Sequence, residues 1–226
     1  MTIRRSSAVG LAVLALSLAA CSSGSGGAQS VKGATQPTLN ANGCAAPPAL
    51  QKVHQHYSKE PALTIARSTY TARIVTNCGT IIASLDGKDA PHTVNSFAFL
   101  SKKGYFNDTP CHRLTTAAAG IEVLQCGDPT GTGSGGPGYT IPDENLKGAT
   151  YPPGTLAMAN AGPNTGGSQF FFVYGPSQLS ASYTPFGKVT AGLDVLTRIA
   201  KAGSTPPGDG KPIQPVVIES FGVTKG

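Results

Sequence analysis

Met158-Ala159-Asn160-Ala161-Gly162-Pro163-Asn164-Thr165-Gly166-Gly167-Ser168-Gln169-Phe170-Phe171 is the most informative stretch of this 226-residue chain. It begins at the end of an apolar run, Thr155 to Met158, crosses residues dense in Asn, Gly and Pro, and enters a second run, Gln169 to Tyr174. Two short apolar runs around turn-forming residues predict two strands joined by a loop. Side chains alternate across a strand, so Phe170 and Phe172 share one face, suited to a core, and Phe171 takes the other. Ser168 invites a hydrolase reading, but Gly166-Gly167-Ser168-Gln169-Phe170 lacks the second glycine of a nucleophile elbow, and no His or Asp is placed to serve it.

Outward from this stretch the pattern stays strand-rich. Tyr70 to Thr76 alternates, Asn77-Cys78-Gly79 turns, and the β-branched run from Thr80 to Leu85 completes a hairpin. Further strands are expected at Cys111 to Leu114, Ile121 to Gln125, Phe186 to Val189 and Val216 to Val223. Thr93 suits the N-cap of a helix carrying Val94, Phe97, Ala98 and Leu100, with Gly104 as its stop. A second helix places Leu193, Leu196 and Ile199 on one face. With 29 Gly and 18 Pro a helical bundle is disfavoured. The fold class expected is mainly β: a closed eight-stranded antiparallel barrel capped by two helices.

The chain carries 39% hydrophobic and 12% charged residues, enough for one sizeable core. Its formal charge of +6 is thinly spread and falls by two once Arg4 and Arg5 are set aside. No Lys/Arg cluster interleaves with aromatics, so no nucleic-acid partner is expected. Arg4 and Arg5 precede an apolar run from Ala8 to Leu18 that ends in small residues, the layout of a secretory signal. Leu18-Ala19-Ala20-Cys21 resembles a bacterial lipobox, in which cleavage leaves a cysteine carrying diacylglycerol. The organisation expected is a signal peptide over 1–20, a lipidated Cys21 and flexible tether over 21–60, and a folded domain over 61–226. Ala49 to Lys59 could form a short helix before Pro61. Acyl chains on Cys21 would hold the protein in the bilayer at the extracytoplasmic face of the cell membrane. Cys44, Cys78, Cys111 and Cys126 remain, an even number in a disulfide-permissive compartment. Three pairings are open; if the strands bearing Cys111 and Cys126 are neighbours, those two pair and Cys44 reaches Cys78. Four free thiols are the alternative.

Two further patterns carry no chemistry. Gly131-Thr132-Gly133-Ser134-Gly135-Gly136 matches a dinucleotide-binding spacing, but Pro137, Gly138 and Pro142 forbid the helix it must open, so it reads as a surface loop. His54 and His56 lack a third ligand nearby. Neither a metal nor a cofactor is expected.

The opening stretch also resembles, nearly residue for residue, the signature segment of the cyclophilins. His112-Arg113, Gln125-Cys126-Gly127-Asp128 and Phe186-Gly187-Lys188-Val189 follow the family's order, and the resemblance spans Thr69 to Val223. It implies a monomeric peptidyl-prolyl cis-trans isomerase with a groove for proline-containing polypeptides, Arg113 as its catalytic residue, and a role in folding exported proteins. By the same resemblance Gln125 orients Arg113 or binds the peptide backbone, Ala159 and Asn160 anchor the peptide, and Gln169 lines the groove. Val123, Phe171 and Leu179 would bury the proline ring, and Tyr183 stands where a histidine is common. Gln178 replaces a typical tryptophan, which implies weak cyclosporin binding. Glu122 stands where an aromatic wall is usual; a longer connection from Thr115 to Gly120 could instead bring Ile121 into that wall. A carboxylate facing Arg113 would favour the alternative of a proline-peptide-binding chaperone module with little turnover.

Overall fold

The computed structural model describes residues 37–226; the expected signal peptide, Cys21 and the first part of the tether lie outside the described residues. The chain forms β1 (Thr69–Thr76), β2 (Gly79–Asp86), α1 (Pro91–Lys102), β3 (Thr109–Pro110), β4 (Arg113–Thr115) and β5 (Val123–Cys126). There follow β6 (Thr155–Met158), β7 (Phe170–Val173), β8 (Pro185–Ala191), α2 (Leu193–Lys201), β9 (Ser204–Thr205), β10 (Asp209–Pro212) and β11 (Val217–Lys225). The mainly β reading with two helices stands, and its strands fall within a few residues of their expected places.

The closed eight-stranded barrel does not. Eleven strands make one sheet in the order β3-β11-β1-β2-β8-β6-β7-β5-β4-β10-β9, curled into a half-barrel. The chain between β3 and β4 reaches both sides of the gap, with Cys111 N–H donating to Val216 O at 2.9 Å and His112 N–H to Gln125 O at 3.1 Å. Those single bonds replace a continuous closing ladder. Two-residue strands at both ends and register shifts in β1, β2 and β6 supply the extra strands and the curl.

Inside the curl, Phe97 of α1 meets Phe106, Phe170, Phe186 and Phe221 with ring centroids 4.7–5.9 Å apart. Each fully buried aromatic of this kind contributes about 1.5–3 kcal/mol of transfer free energy. Thr93 does not cap α1: Ala90 is the N-cap and Pro91 opens the helix, where a missing N–H costs nothing. Glu144, far along the chain, supplies the cap instead, accepting the His92 and Thr93 amides at 2.9 Å each and the Thr93 hydroxyl at 2.8 Å.

Residues 37–60 differ from the expected tether. They form neither helix nor strand, turn at 41–43, and are tied to loops and turns of the folded domain. Disulfides join Cys44 to Cys78 and Cys111 to Cys126. Gln51 N–H donates to Asp108 O at 3.0 Å, Tyr57 N–H to Pro137 O at 2.8 Å, and the Tyr57 ring meets Phe99 at 4.9 Å. The segment is too poor in apolar residues to order itself; a covalent bridge and backbone pairing do it.

Candidate functional site

β4 and β5 pair with Arg113 opposite Gln125, and β7 continues the sheet with Phe171 opposite Gln125. On this outer face Val123, Ala157 and Phe171 join Tyr151 and Val173 in a small apolar cluster separate from the main core, with Ile121, Leu179 and Tyr183 packed against it. Phe170 and Phe172, on the opposite face, belong to the main core. Phe171 is 5% exposed and its ring meets Tyr183 edge-on at 5.5 Å.

Above this floor lies a groove of about 440 Å³. Arg113, Val123, Gln125, Ala159, Asn160, Phe171, Leu179 and Tyr183, all expected from the sequence, line it together. Gln169 does not; it lines an adjoining cavity of about 800 Å³ and reaches the groove through Gln125. Gln178 lies outside the groove lining. The Asn160 side chain is occupied, its Nδ2 donating to Ser182 O at 2.7 Å. Cys21 lies outside the described residues.

The wall is Ile121, as the longer connection allowed. A 3₁₀ turn at Ala117–Ala119, closed by Gly120 at φ 75°, sets that register. Glu122 consequently turns away: its N–H donates to Ser177 Oγ at 2.8 Å, its carbonyl accepts from Tyr174, and its carboxylate lies over Gly175.

A relay of side chains positions the guanidinium. Arg113 Nη1 donates to Gln125 Oε1 at 3.1 Å, Gln125 Nε2 to Gln169 Oε1 at 2.9 Å, and Gln169 Nε2 to the carbonyls of Gly133 and Gly135 at 2.9 Å each. The Gly-rich surface loop that presents these carbonyls is itself folded around the buried Asp128 carboxylate, which accepts the amides of Thr130, Thr132, Gly133 and Gly135. His112, next to Arg113, keeps both ring nitrogens buried without partners, and burial lowers its pKa, so the ring is neutral near pH 7.

Sequence reasoning missed Asp209 and Lys211, which also line the groove. Asp209 Oδ1 accepts from Arg113 Nε and Oδ2 from Nη2, both at 2.7 Å. That hydrogen bonding raises the Arg113 pKa and lowers that of Asp209. Gly208-Asp209-Gly210 reads as a turn, and nothing in the sequence marks its acid as a partner of Arg113. The groove therefore offers an anchored cation over an apolar floor, with no hydrogen-bonded nucleophile and base among its lining residues. Such a site can bind and distort; it is not equipped to cleave.

Known proteins resemble this chain in sequence and in fold. The family model described as cyclophilin type peptidyl-prolyl cis-trans isomerase/CLD matches residues 71–223. A protein of Mycobacterium leprae (strain TN) named "Probable peptidyl-prolyl cis-trans isomerase B" is 46% identical over 203 residues, covering 82% of this chain and 68% of the relative. The protein of the same name from Mycobacterium tuberculosis (strain CDC 1551 / Oshkosh) is 50% identical over 161 residues, 65% of this chain; the match spans about half, 52%, of that relative's length. Among solved structures, a Cryptosporidium parvum cyclophilin type peptidyl-prolyl cis-trans isomerase, crystallised in the presence of the dipeptide Ala-Pro, superposes with a TM-score of 0.60 at 33% identity, over 69% of this chain and 99% of the other.

Proposed function

The chain belongs to the cyclophilin-type peptidyl-prolyl cis-trans isomerases, and from that premise we propose that Arg113, held above the Phe171 floor, carries the rotation of X-Pro amides in exported polypeptides. The barrier to that rotation, about 20 kcal/mol, comes from resonance between nitrogen and carbonyl. No bond breaks, so the groove needs only to hold the twisted amide more tightly than either planar isomer. In the twisted state the nitrogen becomes pyramidal and its lone pair, no longer shared with the carbonyl, localises on it. Arg113, always protonated and fixed at Gln125, donates to the prolyl segment where that charge develops. The proline ring lies against Phe171, Val123 and Leu179, where burial contributes on the order of 25 cal/mol per Å². Ala159 and Asn160 meet the peptide backbone along the groove wall.

The observation that carries this reading is the convergence of a restrained guanidinium and a separate apolar cluster on one groove. Exchange NMR on a proline-containing tetrapeptide tests it. Arg113→Ala is expected to lower the isomerisation rate about 100- to 1000-fold while the peptide still binds; an unchanged rate would refute the mechanism.

Lipid anchoring through Cys21 at the extracytoplasmic face is the second part of the proposal. Leu18-Ala19-Ala20-Cys21 and two cystines, which suit an oxidising compartment, support it. The expressed wild-type chain should partition into detergent, and Cys21→Ser into the aqueous phase; equal partitioning would count against an anchor.

A further inference from the structure

Arg113 offers five N–H donors. Three are committed: Nε and one on Nη2 to Asp209, and one on Nη1 to Gln125. One hydrogen therefore remains on each terminal nitrogen. The Asp209 pair is side-on and bidentate, the geometry that fixes the guanidinium plane most firmly. It is also half open to solvent, with the two side chains 37% and 48% exposed. A pair so exposed adds little to the stability of a fold. What it does is set direction.

The backbone is built to deliver this carboxylate. Asp209 is registered opposite Thr115, so Arg113, two residues along β4, is its diagonal neighbour on the same face. Glycines flank it on both sides. Gly208, at φ 91°, turns the chain and its carbonyl accepts the Thr116 amide at 2.8 Å. At Gly210 a Cβ would collide with the Thr205 and Pro206 backbone, so no other residue lets β10 sit this close. Lys211 lines the same groove, so without Asp209 two cations would stand there with no carboxylate beside them.

We propose that Asp209 is a positioning residue: it fixes the plane of the Arg113 guanidinium and offsets its charge, so that the two uncommitted N–H groups meet a prolyl peptide rather than a dissolved anion. The inference rests on Arg113 being catalytic. Its test compares the full chain with Asp209→Ala, Asp209→Asn and Asp209→Glu, by exchange NMR on the tetrapeptide, thermal melts and titration with inorganic sulfate against chloride at matched ionic strength. Asp209→Ala is expected to lose about 10- to 100-fold in rate, mostly in kcat rather than KM, with little change in melting. Glu should restore part of the rate. Sulfate should inhibit the Ala and Asn proteins at concentrations that leave the wild type unaffected. Should the Ala protein fail to fold, the isosteric Asn protein carries the same comparison. Wild-type kcat without sulfate inhibition in the folded variant would overturn the proposal. If Arg113→Ala is inactive while Asp209→Ala is not, only the role of Asp209 falls; if Arg113→Ala is fully active, the catalytic reading falls first.

Discussion

Asp128 holds its loop through the amides of Thr130, Gly133 and Gly135, at 2.7, 2.6 and 3.0 Å, and through the Thr130 hydroxyl at 2.7 Å. Burial alone would raise its pKa, but these donors outweigh burial and leave it below the ordinary 3.8. A carboxylate held low in the folded state stabilises fully above its unfolded pKa, and that stabilisation disappears as pH falls through the folded value. Asp128→Asn is therefore expected to cost about 2 kcal/mol at pH 7. The gap to wild type should close in acid, below the ordinary carboxylate range; urea unfolding at both pH values checks this. Asp128 lay in plain view within Gln125-Cys126-Gly127-Asp128, yet its role depends on a loop folding back over it. Glu122 is the complementary case. Whether it or Ile121 walls the groove rested on how many residues the turn before Gly120 consumes, which composition does not fix.

At the scale of elements, legibility followed length and local pattern. The β1–β2 hairpin, α2 and the β6–β7 pair were readable because alternation, helical spacing and turn residues all act within a few positions. The start of α1 was not. Its amides are capped by Glu144, about fifty residues downstream, at separations of 51 and 52 positions. No local signal announces a cap of that kind, and Thr93, the residue that looks like one, points its hydroxyl at the same carboxylate. β9 and β10 escaped notice for a related reason. They are only two and four residues long, β10 includes a Gly and a Pro, and they exist as strands only because β4 and each other offer backbone partners. The groove residues that ride on them, Asp209 above all, were hidden with them.

For the molecule as a whole, half of the ordering of residues 37–60 was visible in the cysteine count and half was not. An even number of cysteines allowed the pairing; that it would draw a polar segment onto the folded domain is a tertiary outcome, with Cys44 buried at 1% exposure. Closing a loop with 34 residues of separation stabilises by about 4 kcal/mol on chain-entropy grounds. The double variant Cys44→Ser/Cys78→Ser should melt roughly 8–16 °C lower while isomerising the tetrapeptide at the wild-type rate at 25 °C. An unchanged melting temperature would show that backbone pairing suffices.

Cys78 sits in the tight turn between β1 and β2, several strands away in the sheet from β5 and β4. A pull on the chain upstream of Cys44 meets the Asn40 and Asn42 hydrogen bonds to Gln214 and then a covalent link to the longest hairpin of the fold. The covalent part of that load path thus lands on strands other than those that carry Arg113 and Gln125.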